Sequence, residues 1–236
     1  MNRLTALFII SFAAAWLPAH SDTTTVSGRF ILSGFEPFGG RKVNASYQVA
    51  KAIAAANPGR DLTLVEVPVV WGAPEKALAA EKSKPWTLWL AFGEGTPVFS
   101  IETVADNRRA DYADNQRKKP TQERILPAAP DQLTTPFPAT VLAEMLRSQG
   151  LPVRVSKEAG NYLCEEMLFN LLNAKSTAAE PTPTVLFIHT PVLGAKVKMP
   201  DGSERLMDAA LIDQFAKAIL PCIEEALAKS NLPTPP

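Results

Sequence analysis

Two residues frame the chemistry this chain could perform. Beyond residue 21 the sequence holds one histidine, His189, and two cysteines, Cys164 and Cys222. If a thiol acts here as a nucleophile, its general base has to be His189. Cys164 follows Ala-Gly-Asn-Tyr-Leu and opens an amphipathic stretch, so it stands at a helix N-terminus, where the positive end of the macrodipole favours a thiolate. His189 closes the apolar run Val-Leu-Phe-Ile, which reads as a buried strand delivering an imidazole at its carboxyl end. Open α/β sheets carry their active groups along that edge. A lone buried cysteine is more often a small core residue, and a lone histidine after an apolar strand is more often structural. Cys222 sits inside a C-terminal helical pattern and reads as core.

The elements that must position these groups alternate. Arg29–Ser33 reads as a strand, followed by the turn-rich segment from Gly34 to Gly40. Asn44 caps a helix to about Ala56, with Val49 and Ile53 inward. Leu62–Val70 is β-rich, Ala73–Lys82 helical, Trp86–Phe92 a buried strand ending in Gly93-Glu94-Gly95, and Val98–Ala105 extended. Asp106–Pro130 is a long polar excursion, a kind of segment that is often functional. Helix is predicted over Thr134–Gln149, strand over Val153–Ser156, helix over Tyr162–Asn173 and strand over Thr182–His189. A loop over Val192–Arg205 and a final helix over Met207–Lys229, kinked at Pro221, complete the pattern. Such alternation predicts a single α/β domain with three α/β/α layers around a mostly parallel or mixed sheet.

The N-terminal segment has one early positive charge (Arg3), an apolar run, and small residues at Ala19 and Ser21. It reads as a secretory signal peptide over residues 1–21, which leaves a catalytic domain over 22–236 and a periplasmic or secreted location. After cleavage no stable membrane anchor is expected. The Pro233–Pro236 tail is expected to fray. Formal net charge is zero, so no electrostatic footprint for nucleic acid is present. One histidine and two distant cysteines give no usual metal spacing, and no metal or other cofactor is expected.

Four stretches carry a resemblance. They are Ser33-Gly-Phe-Glu-Pro-Phe-Gly-Gly-Arg-Lys-Val-Asn44, Ser100-Ile-Glu-Thr-Val-Ala-Asp-Asn107, Val155-Ser-Lys-Glu-Ala-Gly-Asn-Tyr-Leu-Cys164 and Phe187-Ile-His-Thr-Pro191. In order and spacing they resemble the pyroglutamyl peptidase I family, the pyrrolidone-carboxylate peptidases, over nearly the whole chain beyond residue 29. The resemblance implies a cysteine exopeptidase that removes an N-terminal pyroglutamyl group from peptides through a thioester. Cys164 would be the nucleophile, His189 the acid and base, and Glu102, rather than Asp114, the carboxylate that orients the imidazole. Phe35 and Phe38 would enclose the flat pyroglutamyl ring. The partner implied is a peptide or small amide substrate, and family relatives are often homo-oligomers.

The chain also departs from the pattern. Thr103 stands where a basic residue is usual, and the Gly-rich segment is shortened around Glu94. Glu94 and Arg109 are therefore taken as substrate-binding candidates, with Arg108 or Arg109 expected to neutralise Glu94. Glu165 and Glu166 follow Cys164, where acids suit the helix dipole but repel a thiolate. These changes keep two alternatives open: a related thiol amidohydrolase with a different small acyl substrate, and a catalytically silent binding homologue.

Overall fold

A computed structural model describes residues 27–178 and 183–230. The signal peptide expected over 1–21 and the Pro233–Pro236 tail lie outside the described residues. The central sheet has six strands: β1 (Phe30–Phe35), β2 (Leu62–Val67), β3 (Leu88–Glu94), β4 (Phe99–Glu102), β7 (Val153–Ser156) and β8 (Thr184–Thr190). Their order is β2-β1-β3-β8-β4-β7. β1, β2, β3 and β8 run parallel, whereas β4 is antiparallel to β8 and carries β7 parallel to itself. The sheet is therefore mixed.

Two apolar layers cover it. Because side chains alternate along a strand, Phe30, Leu32, Leu90, Phe92 and Ile188 pack on one face against helices α1 (Ala45–Ala56), α3 (Ala139–Ser148) and α5 (Ala209–Lys229). Ile31, Trp89, Ala91, Val185 and Phe187 pack on the other against α2 (Ala73–Ala80) and α4 (Leu163–Ser176). Cys222 belongs to the first layer, while Cys164 packs against the second.

Local chemistry explains the element boundaries. Asn44 caps α1, its Oδ1 accepting from Ser46 N at 3.0 Å. Gly34 is required where α1 crosses β1, since a Cβ there would lie 2.5 Å from the Tyr47 backbone. The long excursion has no helix of its own. Asn107 holds it together, with its Nδ2 donating to Leu126 O at 2.7 Å and its Oδ1 accepting from Leu126 N at 2.8 Å.

Several boundaries differ from the sequence reading. β3 continues through Gly93 and Glu94 because both remain in register with β8. The residues before Ala139 are not helical: Gln132–Thr134 forms β6 and pairs with β5 (Val104–Asp106). Pro136 and Pro138, which restrict the residues before them, delay the helix. The loop expected over 192–205 contains a hairpin of β9 (Lys196–Lys198) and β10 (Glu204–Leu206). α5 runs on through Pro221.

Candidate active site

The carboxyl ends of β1, β3 and β8 lie side by side, and each delivers a different group. β8 brings His189, paired in register with Gly93 of β3. On its other side β4 pairs Glu102 with Phe187, two residues from His189 and on the same face. That diagonal lets the Glu102 carboxylate reach the imidazole: His189 Nδ1 lies 2.9 Å from Glu102 Oε1. Glu102 is 1% exposed and His189 7%, so the pair is screened little by water. Asp114 is elsewhere. Its carboxylate accepts from the backbone N–H groups of Gln116, Lys118 and Trp71 and shapes a turn of the excursion.

Cys164 comes from the opposite layer, in the first turn of α4. A Cβ placed on Gly93 would lie 2.8 Å from Cys164 Sγ and 2.8 Å from His189 Cδ2. The space left by this missing side chain is where sulfur and imidazole converge. Burial works to lower the affinity of His189 for its proton. The charge and hydrogen bond of the Cys164 sulfur, followed by those of Glu102, outweigh it and raise the pKa to about 10. Its Nδ1 faces a carboxylate and the rest of the ring faces a sulfur, an arrangement in which an imidazolium is stable.

Tyr162 precedes α4 without a side-chain cap. Glu166 N donates to Tyr162 O at 3.1 Å, so the earlier amides of Leu163, Cys164 and Glu165 have no intrahelical acceptor. Donors of this kind beside a nucleophile suit an oxyanion. A cavity of about 290 Å³ opens over Cys164 and His189, with Phe35, Phe38, Glu94 and Tyr162 among its walls.

Glu94 is in that wall, but its expected partner is not. Its Oε1 accepts from Ala45 N at 2.8 Å, and its Oε2 lies 2.7 Å from Arg41 Nη2. Arg109 is a correction: it lies outside this cavity. Its Nη2 is 2.7 Å from Glu166 Oε1, and its Nη1 donates to Arg124 O at 2.7 Å. Arg109 thus anchors the excursion to α4. Arg108 pairs instead with Glu123 at 3.1 Å. Sequence proximity suggested these arginines, but the strand end at Glu94 faces the β1–α1 loop instead.

The two acids after Cys164 point away from the cavity. Glu166 is spoken for by Arg109 and by Gly72 N. Glu165 has no cationic partner among the described hydrogen bonds and accepts from Asp106 N at 2.5 Å. Burial, and then the charges of Asp106 and Glu102, raise its pKa to about 8 against the opposing Asp106 hydrogen bond and His189. The acid is therefore largely neutral near pH 7, and little repulsion of the sulfur remains. Sequence reasoning missed Arg41 and Gly93. A glycine inside a strand is a signal of close approach, whereas a charged loop residue such as Arg41 gives no signal of its own.

The family described as pyroglutamyl peptidase matches residues 29–226. The pyrrolidone-carboxylate peptidase of Pyrococcus furiosus is 29% identical over 204 residues, covering 84% of this chain and 98% of the relative. That of Streptomyces coelicolor is 30% identical over 210 residues, covering 86% and 95%. Among solved structures, pyroglutamyl peptidase I of Bacillus amyloliquefaciens superposes with a TM-score of 0.69 at 25% identity, over 85% of this chain and 97% of that one. Sequence and fold agree, and the chain belongs to the pyroglutamyl peptidase family.

Proposed function

We infer that this chain is a cysteine omega peptidase that releases an N-terminal pyroglutamyl group, with Cys164, His189 and Glu102 as its catalytic residues. The observation that carries the assignment of roles is the convergence of Cys164 Sγ and the His189 ring at Gly93, with Glu102 behind the ring.

On this reading the reaction runs in two halves. Cys164 attacks the exocyclic carbonyl carbon of the pyroglutamyl residue as the thiolate, and the carbonyl electrons move to oxygen. The uncapped amides at the start of α4 stabilise that oxyanion. Collapse breaks the C–N bond, and the imidazolium of His189 gives its proton to the leaving amine. A thioester and a neutral imidazole remain. His189 then takes a proton from water as the water attacks the thioester, and departure of the acid restores the thiolate and imidazolium. Glu102 keeps Nδ1 protonated and the ring oriented throughout. The lactam ring itself stays intact, and Phe35 and Phe38 offer apolar surface to its faces.

Hydrolysis of pyroglutamyl-aminomethylcoumarin under reducing conditions tests this reading. Cys164→Ser should remove turnover while Cys222→Ser, on the far side of the sheet, keeps most of it. Equal loss from both folded variants refutes the assignment.

We also propose export, supported by the charge and apolar pattern of residues 1–21. N-terminal sequencing of protein recovered outside the cytoplasm should begin near Asp22, and a chain retained in the cytoplasm with Met1 intact would overturn this. A homo-oligomer is proposed on family resemblance alone, and light scattering decides it.

A further inference from the structure

The cavity wall contains an ion pair that the reaction steps above do not use. Glu94 ends β3 with its side chain fully buried, whereas the Arg41 side chain is 37% exposed on the β1–α1 loop. The carboxylate is held from two sides. Oε1 takes the first amide of α1, at the positive end of that helix, and Oε2 faces the Arg41 guanidinium. The same guanidinium lies over the Phe38 ring, 4.3 Å from its centroid. Phe38 and Glu94 both line the cavity over Cys164. Arg41 therefore joins an aromatic wall of the cavity to the carboxylate at the end of β3.

We propose that Arg41 is a positioning and specificity residue: its pair with Glu94 pins Phe38 over the acyl cavity and cancels the buried carboxylate charge in the cavity wall, so that an uncharged acyl ring is accepted. The inference rests on the peptidase reading for its substrate and on the structure alone for the pinning.

The physical argument concerns what remains when Arg41 is removed. Gly39 and Gly40 have φ of +61° and +77°, so the loop can turn sharply there but is not stiffened by side chains. Its first residues are tied down by Asn44 Nδ2 to Glu36 O at 3.0 Å, Val69 N to Glu36 Oε1 at 2.8 Å and Asn115 Nδ2 to Pro37 O at 2.9 Å, whereas from Phe38 to Arg41 the contacts are the Arg41 N to Phe38 O turn at 3.3 Å and the Arg41 side chain on Glu94 and Phe38. Loss of the guanidinium frees Phe38 from its cation and leaves a buried carboxylate facing the cavity with a single amide donor. Stranding one member of a buried pair is much worse than replacing both. A neutral ring would then enter a cavity that is looser and negatively charged. Sulfur, imidazole and Glu102 lie outside these contacts and stay in place, so the damage falls on substrate capture.

The test uses pyroglutamyl-aminomethylcoumarin with the wild type, Arg41→Ala, Glu94→Gln and the double variant. Arg41→Ala should raise KM at least tenfold, about 1.4 kcal/mol, with kcat within threefold. Glu94→Gln added to Arg41→Ala should recover most of that loss, because the stranded charge is gone. An unchanged KM in Arg41→Ala overturns the inference, as does a fall in kcat alone or a double variant no better than the single one. Amide hydrogen exchange over residues 36–45 gives a readout independent of turnover. It should quicken in Arg41→Ala while β3 and β8 keep their protection, and unchanged exchange overturns the pinning. A wild type that fails to cleave the coumarin amide refutes the peptidase reading, and the exchange result still decides the role of Arg41.

Discussion

Gly93→Ala adds one methyl group where sulfur and imidazole meet. The new Cβ would lie 2.8 Å from Cys164 Sγ, 2.8 Å from His189 Cδ2 and 2.9 Å from Phe187 Cζ. Ordinary contact needs about 3.4–4 Å, so the three neighbours must separate by somewhat under 1 Å each. They belong to two elements, α4 and β8, and the deepest of them is a buried aromatic ring. Gly93 is not among the residues with positive φ, so alanine fits the backbone and the effect is purely steric. Overpacking of this kind costs about 1–3 kcal/mol of stability, a fall in Tm of several degrees. Catalysis suffers more, because a displacement of about 1 Å between reacting groups costs on the order of 100-fold, equivalent to about 2.7 kcal/mol of barrier. Gly59→Ala is the control, since nothing lies within 4 Å of its added methyl. The assay is kcat/KM on a pyroglutamyl amide, alongside the rate of Cys164 alkylation by iodoacetamide. Activity within threefold of wild type at unchanged Tm would refute the convergence of the two groups at Gly93.

Two further predictions turn on titration. Glu102→Gln keeps a hydrogen-bonding oxygen near His189 Nδ1 but removes the charge that helps hold the imidazole at a pKa of about 10. The basic limb of the kcat/KM profile should therefore move to lower pH, by on the order of one unit or more, and coincident limbs count against the pair. Glu165 has its pKa raised from 4.5 to about 8 in the fold. Between those values the folded state binds the extra proton, so its contribution is complete below pH 4.5 and is lost as pH rises through 8. Glu165→Gln should accordingly gain stability relative to wild type across that window, by an upper bound on the order of 5 kcal/mol at its alkaline end. Parallel pH–stability curves for the two proteins would contradict the shift.

The chemistry was more legible than its surroundings, for physical reasons. Buried β8 shows as an unbroken apolar run, and the cap at Asn44 is local, so both could be read from adjacent residues. The diagonal between Glu102 and His189 depends on β4 pairing antiparallel to β8, which no local pattern reveals; it came through resemblance. The β9–β10 hairpin was missed because three-residue strands such as Lys-Val-Lys are too short for a periodic signal. The partner of Glu94 was misjudged because charge pairing is a long-range choice. Arg109 is nearer to Glu94 in the chain than Arg41 is, yet it is occupied by Glu166.

The sheet that carries the site also partitions its sulfur. Cys164 and Cys222 pack against opposite layers, with strands between them, and both are free thiols. A disulfide requires Cα atoms within about 7 Å, so the native fold forbids a bridge between this pair. In an oxidising compartment the molecule is thereby insulated from self-inactivation. Of the two thiols, the half-buried Cys164 beside the cavity is then the more open to oxidation, since Cys222 is 2% exposed. The products are a sulfenic acid or a mixed disulfide with an external thiol, both of which a small reductant reverses. In such surroundings the redox state would act as a rheostat on the nucleophile without touching the scaffold.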